Sequence, residues 1–166
     1  MSYLRRWLVS ALLSVAACQG QNASHVATQP VSAVPIGTAE CAACGMVVAE
    51  QPAPRAQLIH RDGKRVFFCS LGDLAHYLHS PSPHGPPQAT FVEVVEPHEV
   101  PSEISSQPRP WLEAERAAYV HGVSRPMVMG PGLSAYASSD AAQAALRQHG
   151  GRELDWPALR ALVTQE

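Results

Sequence analysis

The chain has 166 residues, the length of one domain with short segments at its ends. Its 12 Lys+Arg against 14 Asp+Glu give a formal charge of −2, so the composition offers no basic footprint for nucleic acid. Four cysteines and four methionines set the question instead, because both sulfurs are soft metal ligands.

Residues 1–17 read as a signal peptide and take no part in fold reasoning. Arg5-Arg6 supply a positive flank, and the apolar run from Trp7 to Ala17 is too short to span a bilayer as a permanent helix. The run closes as Leu13-Ser14-Val15-Ala16-Ala17-Cys18, in the manner of a bacterial lipobox, which makes Cys18 the lipidated first residue of the mature chain. The surroundings of the paired arginines fit the general secretory route better than twin-arginine export. The protein is therefore expected to be exported and lipid-anchored at the periplasmic face of a bacterial membrane, the outer membrane by preference. Without Arg5 and Arg6 it carries ten basic against fourteen acidic residues, a formal −4.

Residues 18–40 are rich in Gln, Ser, Ala, Thr and Pro and hold no aromatic residue, the composition of a flexible tether. Residues 41–166 then form one domain. It opens on Cys41-Ala42-Ala43-Cys44-Gly45-Met46, two thiols and a thioether within six residues. Such a set selects Cu(I) among biological ions. In an extended backbone, positions 44 and 46 face the same side. With Cys18 lipidated, the free thiols are Cys41, Cys44 and Cys69. An odd, clustered number fits a metal site at least as well as a disulfide framework, and a four-thiol zinc knuckle needs one thiol more. Cys41 and Cys44 can also oxidise to each other when metal is absent.

Residues 57–60 and 65–68 read as strands, with Asp62-Gly63 as the hairpin turn between them. Ser70 caps a helix from 71 to about 79, with Asp73 three residues on as a capping box. Prolines 81, 83, 86 and 87 end it and fill a loop, and residues 90–96 make a further strand. A second proline-rich loop covers 97–110. Strands at 118–121 and 133–137 flank a loop carrying Pro126-Met127-Val128-Met129-Gly130. Ser138 caps a helix from 139 to about 149, which Gly150-Gly151 terminates. A last helix is capped by Asp155, has Pro157 in its first turn, and carries Leu159, Leu162 and Val163. The halves run in register: Phe68-x-Ser70 precedes Leu78 as Tyr136-x-Ser138 precedes Leu146. This pattern predicts an α+β fold of tandem duplicated ββα units.

Cys69 follows the hairpin, which folds back and brings it toward the first motif. It is either a small buried hydrophobe or a thiolate favoured by the adjoining helix N-terminus. Met127 and Met129 sit in a loop where they can offer a thioether or plug the core. His76 and His79 share a helix face. His60 and His121 lie on strands, His84 and His98 in proline loops and His25 in the tether, and none stands out as a ligand. No G-x-S-x-G, paired-histidine zinc-protease motif or phosphate-binding glycine loop is present. The C-x-x-C also lacks the βαβ context of a thioredoxin-like enzyme. The chain reads as a binding protein, not an enzyme.

These residues resemble the nitrous oxide reductase accessory lipoproteins, the NosL family. The likeness runs from lipobox Cys18 through Cys41-x-x-Cys44-Gly45-Met46 and Phe67-Phe68-Cys69-Ser70. It continues through Trp111-Leu112-Glu113-Ala114, Ala117-Ala118-Tyr119-Val120, the Pro126-Met127 loop and the helix ending at Gly150-Gly151. The resemblance implies a monomeric Cu(I) metallochaperone that delivers copper for the multicopper site of nitrous oxide reductase, with transporter-associated maturation proteins as partners. It carries over Cys44 and Met46 as ligands, with a histidine usually completing the set. It also implies a ββα duplication related to organomercurial lyase. The family's P-M-G stands here as Pro126-Met127-Val128-Met129-Gly130, so both methionines are candidates. The alternatives are a soft-metal lipoprotein with another client, a thiol enzyme for disulfide exchange or organometal cleavage, and a structural zinc knuckle.

Overall fold

The computed structural model describes residues 31–99, 108–123 and 132–162, whose core lies between two antiparallel sheets. The first sheet has the order β2-β1-β3-β4, with β1 Ala56–His60, β2 Arg65–Phe68, β3 Pro87–Glu93 and β4 Trp111–Glu113. The second has the order β6-β5-β7, with β5 Ala118–His121, β6 Leu133–Tyr136 and β7 Arg152–Leu154. Helix α1, Leu71–Leu78, follows β2; α2, Ser139–His149, follows β6; α3, Trp156–Arg160, follows β7.

Local chemistry explains most of these boundaries. The β1–β2 turn closes where Asp62 Oδ1 accepts the Lys64 amide at 2.9 Å, setting Ala56 opposite Phe68. Ser70, Ser138 and Asp155 each accept an amide from the third residue onward, which satisfies donors the first helical turn leaves unpaired. β3 differs from expectation, beginning at Pro87 and ending at Glu93. His60 pairs with Pro87 and Ala56 with Val92, so pairing with β1 sets its frame. Proline is tolerated there because it is the strand's first residue. The three-residue strands β4 and β7 escape the sequence pattern altogether; each exists by pairing with a longer strand, β3 or β5. Gly151 makes the last pairing possible, since a Cβ there would lie 2.4 Å from the His121 carbonyl oxygen.

Each half is thus a hairpin and a helix followed by a strand that pairs with the far side of the hairpin's first strand. The mixed α+β class is as expected, and the repeated plan is compatible with a tandem duplication. The halves share one core. Leu58 and Phe68 of the first sheet and Tyr119, Leu133 and Ala135 of the second pack with Leu71 and Leu74 of α1 and Trp156 and Leu159 of α3. Alternate residues of β5 and β6, Val120 and Tyr136, face away onto Ala142 and Ala145 of α2.

The compact unit begins at Val31, ten residues earlier than the domain boundary read from composition. Val34 exchanges two hydrogen bonds with the buried Gln57 amide, at 3.0 and 2.9 Å, and Ile36 packs against the core. A polar composition concealed this because the segment is held mainly through backbone groups. Among the described residues, no helix is long and apolar enough to cross a membrane.

Candidate metal centre

β2 is an edge strand, and the turn at 41–46 covers part of that edge. The Cys41 amide donates to Met46 O at 2.8 Å and the Gly45 amide to Cys41 O at 2.9 Å. Gly45 takes φ +76°, the left-handed region, so the backbone between Cys44 and Met46 turns instead of running extended as expected. A bridge from Cys41 to Phe67, with the Ala42 amide donating to Phe67 O at 2.9 Å, fastens the turn to β2. This attachment lays the Cys41–Cys44 arc over the corner where β2 passes into α1. Cys69 occupies that corner.

The three thiols converge. Cys44 Sγ lies 3.6 Å from Cys69 Sγ, and the Cys69 amide donates to Cys41 Sγ at 3.4 Å. The ligand atoms of Cys41, Cys44, Cys69 and Asp73 all lie within 4.8 Å of one another. Cys41 and Cys69 are each 4% exposed, whereas Cys44 is exposed and Met46 is 38% exposed. The cluster therefore has a buried floor and an open lip.

Asp73 is the residue that sequence reasoning placed correctly in the helix cap without seeing it as part of this group. Its amide donates to Ser70 Oγ at 3.1 Å, and Ser70 Oγ donates to its Oδ2 at 2.9 Å. The capping box thereby holds the carboxylate beside the thiols. The signal was the Cys69-Ser70-x-x-Asp73 spacing, but only the overlying turn brings the other two thiols within 4.8 Å of that carboxylate.

Burial pushes the Cys69 thiol well above its ordinary range, with the neighbouring Cys41 adding to the rise. Desolvation also raises Cys44, against the opposing effect of a hydrogen bond from the Met46 backbone. The helix N-terminus beside Cys69 was expected to favour thiolate, and in the metal-free protein burial among thiols outweighs it.

The histidines lie elsewhere. His60 is buried, with Nδ1 2.7 Å from Gly85 O and Nε2 3.0 Å from Tyr77 Oη. His84 Nδ1 pairs with Asp62 at 2.7 Å, and His149 Nε2 lies 3.1 Å from Pro97 O. Among the described residues no histidine joins the thiol group. Cys18, Met127 and Met129 fall outside the described residues.

A family model described as NosL matches residues 34–161. The chain is 27% identical over 129 residues to the copper-binding lipoprotein NosL of Stutzerimonas stutzeri, an alignment covering 76% of this chain and 65% of that protein. The chain thus spans about 65% of the length of that curated relative. It is also similar to the crystal structure of the copper chaperone NosL from Shewanella denitrificans, with a TM-score of 0.64, 26% identity, and coverage of 82% of this chain and 98% of that one.

Proposed function

The chain belongs to the NosL family, and from that premise we propose that it is an exported Cu(I) metallochaperone, not an enzyme. The observation that carries this reading is the convergence of three thiols, Cys41 and Cys69 buried and Cys44 exposed beside an exposed Met46. Cu(I) is satisfied by two or three soft donors. Cys44 with a thiol from the floor and the Met46 thioether makes a sufficient set. The open lip leaves room for an acceptor's thiolate or imidazole to enter before the first ligand leaves. The buried floor keeps water from the ion until then. A relative named as a copper-binding lipoprotein and another named as a copper chaperone support the same reading.

The finer assignments belong to this proposal. Cys18 carries the lipid, holding a monomer at the periplasmic face of the outer membrane. Met127 or Met129 supplies a further thioether. The client is nitrous oxide reductase, reached directly or through its transporter-associated maturation proteins. In a denitrifying host lacking this protein, nitrous oxide reductase should then be made without its full copper complement.

The deciding experiment is an anaerobic Cu(I) titration of the reduced, detergent-solubilised chain against a chromophoric chelator, repeated with excess Zn(II). One Cu(I) per chain, undisturbed by zinc, is the expected result. The Asp73 carboxylate suits Zn(II) better than Cu(I). Stoichiometric zinc that excess Cu(I) cannot displace would therefore replace this reading with a zinc site.

A further inference from the structure

We propose that Cys44 and Cys69 form a reversible disulfide that empties the thiol site, with Cys44 as the attacking thiol and Cys69 as its resolving partner. The effect on copper rests on the chaperone reading above; the disulfide itself rests on geometry alone. The two sulfurs stand 3.6 Å apart, and a disulfide bond is about 2.05 Å long, so closure asks for an approach of about 1.5 Å. Cys44 is exposed on a turn, while Cys41 and Cys69 are each 4% exposed. An external oxidant therefore reaches Cys44 first.

Cys41 is the thiol left over. Its backbone is tied on both sides, to Met46 O and to the Gly45 amide, and bridged to Phe67. Its sulfur accepts the Cys69 amide at 3.4 Å. Those bonds hold Cys41 beside Cys69 as a fixed wall, while the arc beyond it carries Cys44 over the same corner.

The chemistry needs a disulfide-bearing oxidant, either a small thiol's disulfide or a protein disulfide of the exported compartment. Cys44 gives its proton to solvent and its thiolate attacks one sulfur of the oxidant, whose S–S bond breaks; the departing thiolate takes a proton from solvent. Cys69 gives its proton to solvent, and its thiolate attacks Cys44 Sγ. The second oxidant thiol then leaves and is protonated. Two protein thiols are oxidised by two electrons and one disulfide is reduced to two thiols, while copper stays Cu(I). Two of the cluster's three thiols are thereby lost as donors, and the ion is left with Cys41 and thioether, a set poor enough to surrender it. A dithiol reductant reverses the exchange and restores the site.

The test treats the reduced, metal-free full chain in detergent with oxidised glutathione, alkylates the remaining thiols and maps the peptides. A Cys44–Cys69 cross-link is expected, with Cys41 alkylated only after denaturation. A dominant Cys41–Cys44 or Cys41–Cys69 link would overturn the proposal, as would a glutathione adduct on Cys44 that never resolves. Cys41→Ser should still close the disulfide, whereas Cys69→Ser should stop at the adduct. In the copper-loaded chain, oxidised glutathione should release Cu(I) to a chelator in step with disulfide formation, about tenfold faster than in Cys69→Ser. Release without the cross-link counts against the gating role. A wild-type chain that takes up no Cu(I) defeats the chaperone reading, and the peptide map alone then decides on the disulfide.

Discussion

The two halves of the molecule turn the same corner and put it to different use. Phe68 ends β2 opposite Ala56, and Tyr136 ends β6 opposite Ala118. Two residues later comes the cap: Ser70 at φ −146°, ψ 165°, and Ser138 at φ −154°, ψ 163°. Between strand and cap stands Cys69 in the first half and Ala137 in the second. Ser70 and Cys69 are buried beneath the 41–46 turn, whereas Ala137 and Ser138 are exposed. A strand-to-helix corner is therefore a platform and nothing more. What sets one of them apart as a candidate metal centre is a thiol at the corner and a second sulfur-bearing segment pinned above it to a free strand edge.

The comparison can be broken most sharply at the lip. Cys44→Ala should abolish tight Cu(I) binding and Met46→Ala should only weaken it, read by chelator competition. Undiminished affinity in Cys44→Ala places the site elsewhere. Next in size are the paired core anchors, both fully buried. Phe68→Ala and Tyr136→Ala should each cost about 3–5 kcal/mol in urea denaturation. A small loss in one alone would show that the halves do not carry equivalent weight. The third test uses protons, which only the first corner must shed. Because burial raises Cys44 and Cys69 above the ordinary thiol value, both enter binding protonated near neutral pH. Protons and Cu(I) compete, so lowering the pH should weaken apparent affinity by about tenfold per unit for each proton displaced. A pH-independent affinity would mean that copper is held without those thiols.

Smaller effects separate the caps. Ser70→Ala removes a buried cap and one hydrogen bond to Asp73, and should cost about 2 kcal/mol; the exposed Ser138→Ala should cost about 0.5–1 kcal/mol. Equal losses would argue that the overlying turn adds nothing to the first cap. The smallest expected effect is the most pointed. Ala137→Cys gives the second corner its thiol without an overlying turn, and copper stoichiometry should stay at one per chain. A second bound Cu(I) would show that the corner alone suffices.

What could be read from the sequence follows the range of the forces involved. The Asp62-Gly63 hairpin and the caps at Ser70, Ser138 and Asp155 are decided within four residues, and their side chains announce them. β4 and β7 are three residues long and depend on partners far along the chain, so no local period marks them. The start of the compact unit was missed for the same reason, since Val34 is held by Gln57. In the candidate site, residue type alone marked Cys41, Cys44 and Cys69 as soft donors to look for. Their common corner was inferable from the hairpin between them. The two readings of Cys69, buried hydrophobe or thiolate, stayed open because a helix N-terminus is visible in sequence and the depth of burial is not. Asp73 was left out of the candidate ligands because the helix cap already gave it a sufficient local explanation.

The shared core has a consequence for anyone wishing to move this centre into another scaffold. Leu58, Phe68 and Leu74, which shape the ground under Cys69, pack in the same cluster as Tyr119, Leu133 and Trp156 from the other half. A fragment cut after β3 would keep all three thiols and lose the wall they lean against. Transplanting the six-residue sulfur motif would carry even less, because Cys69 and Asp73 belong to a different element. The centre is not a portable cassette; its smallest transferable form is the pair of halves together.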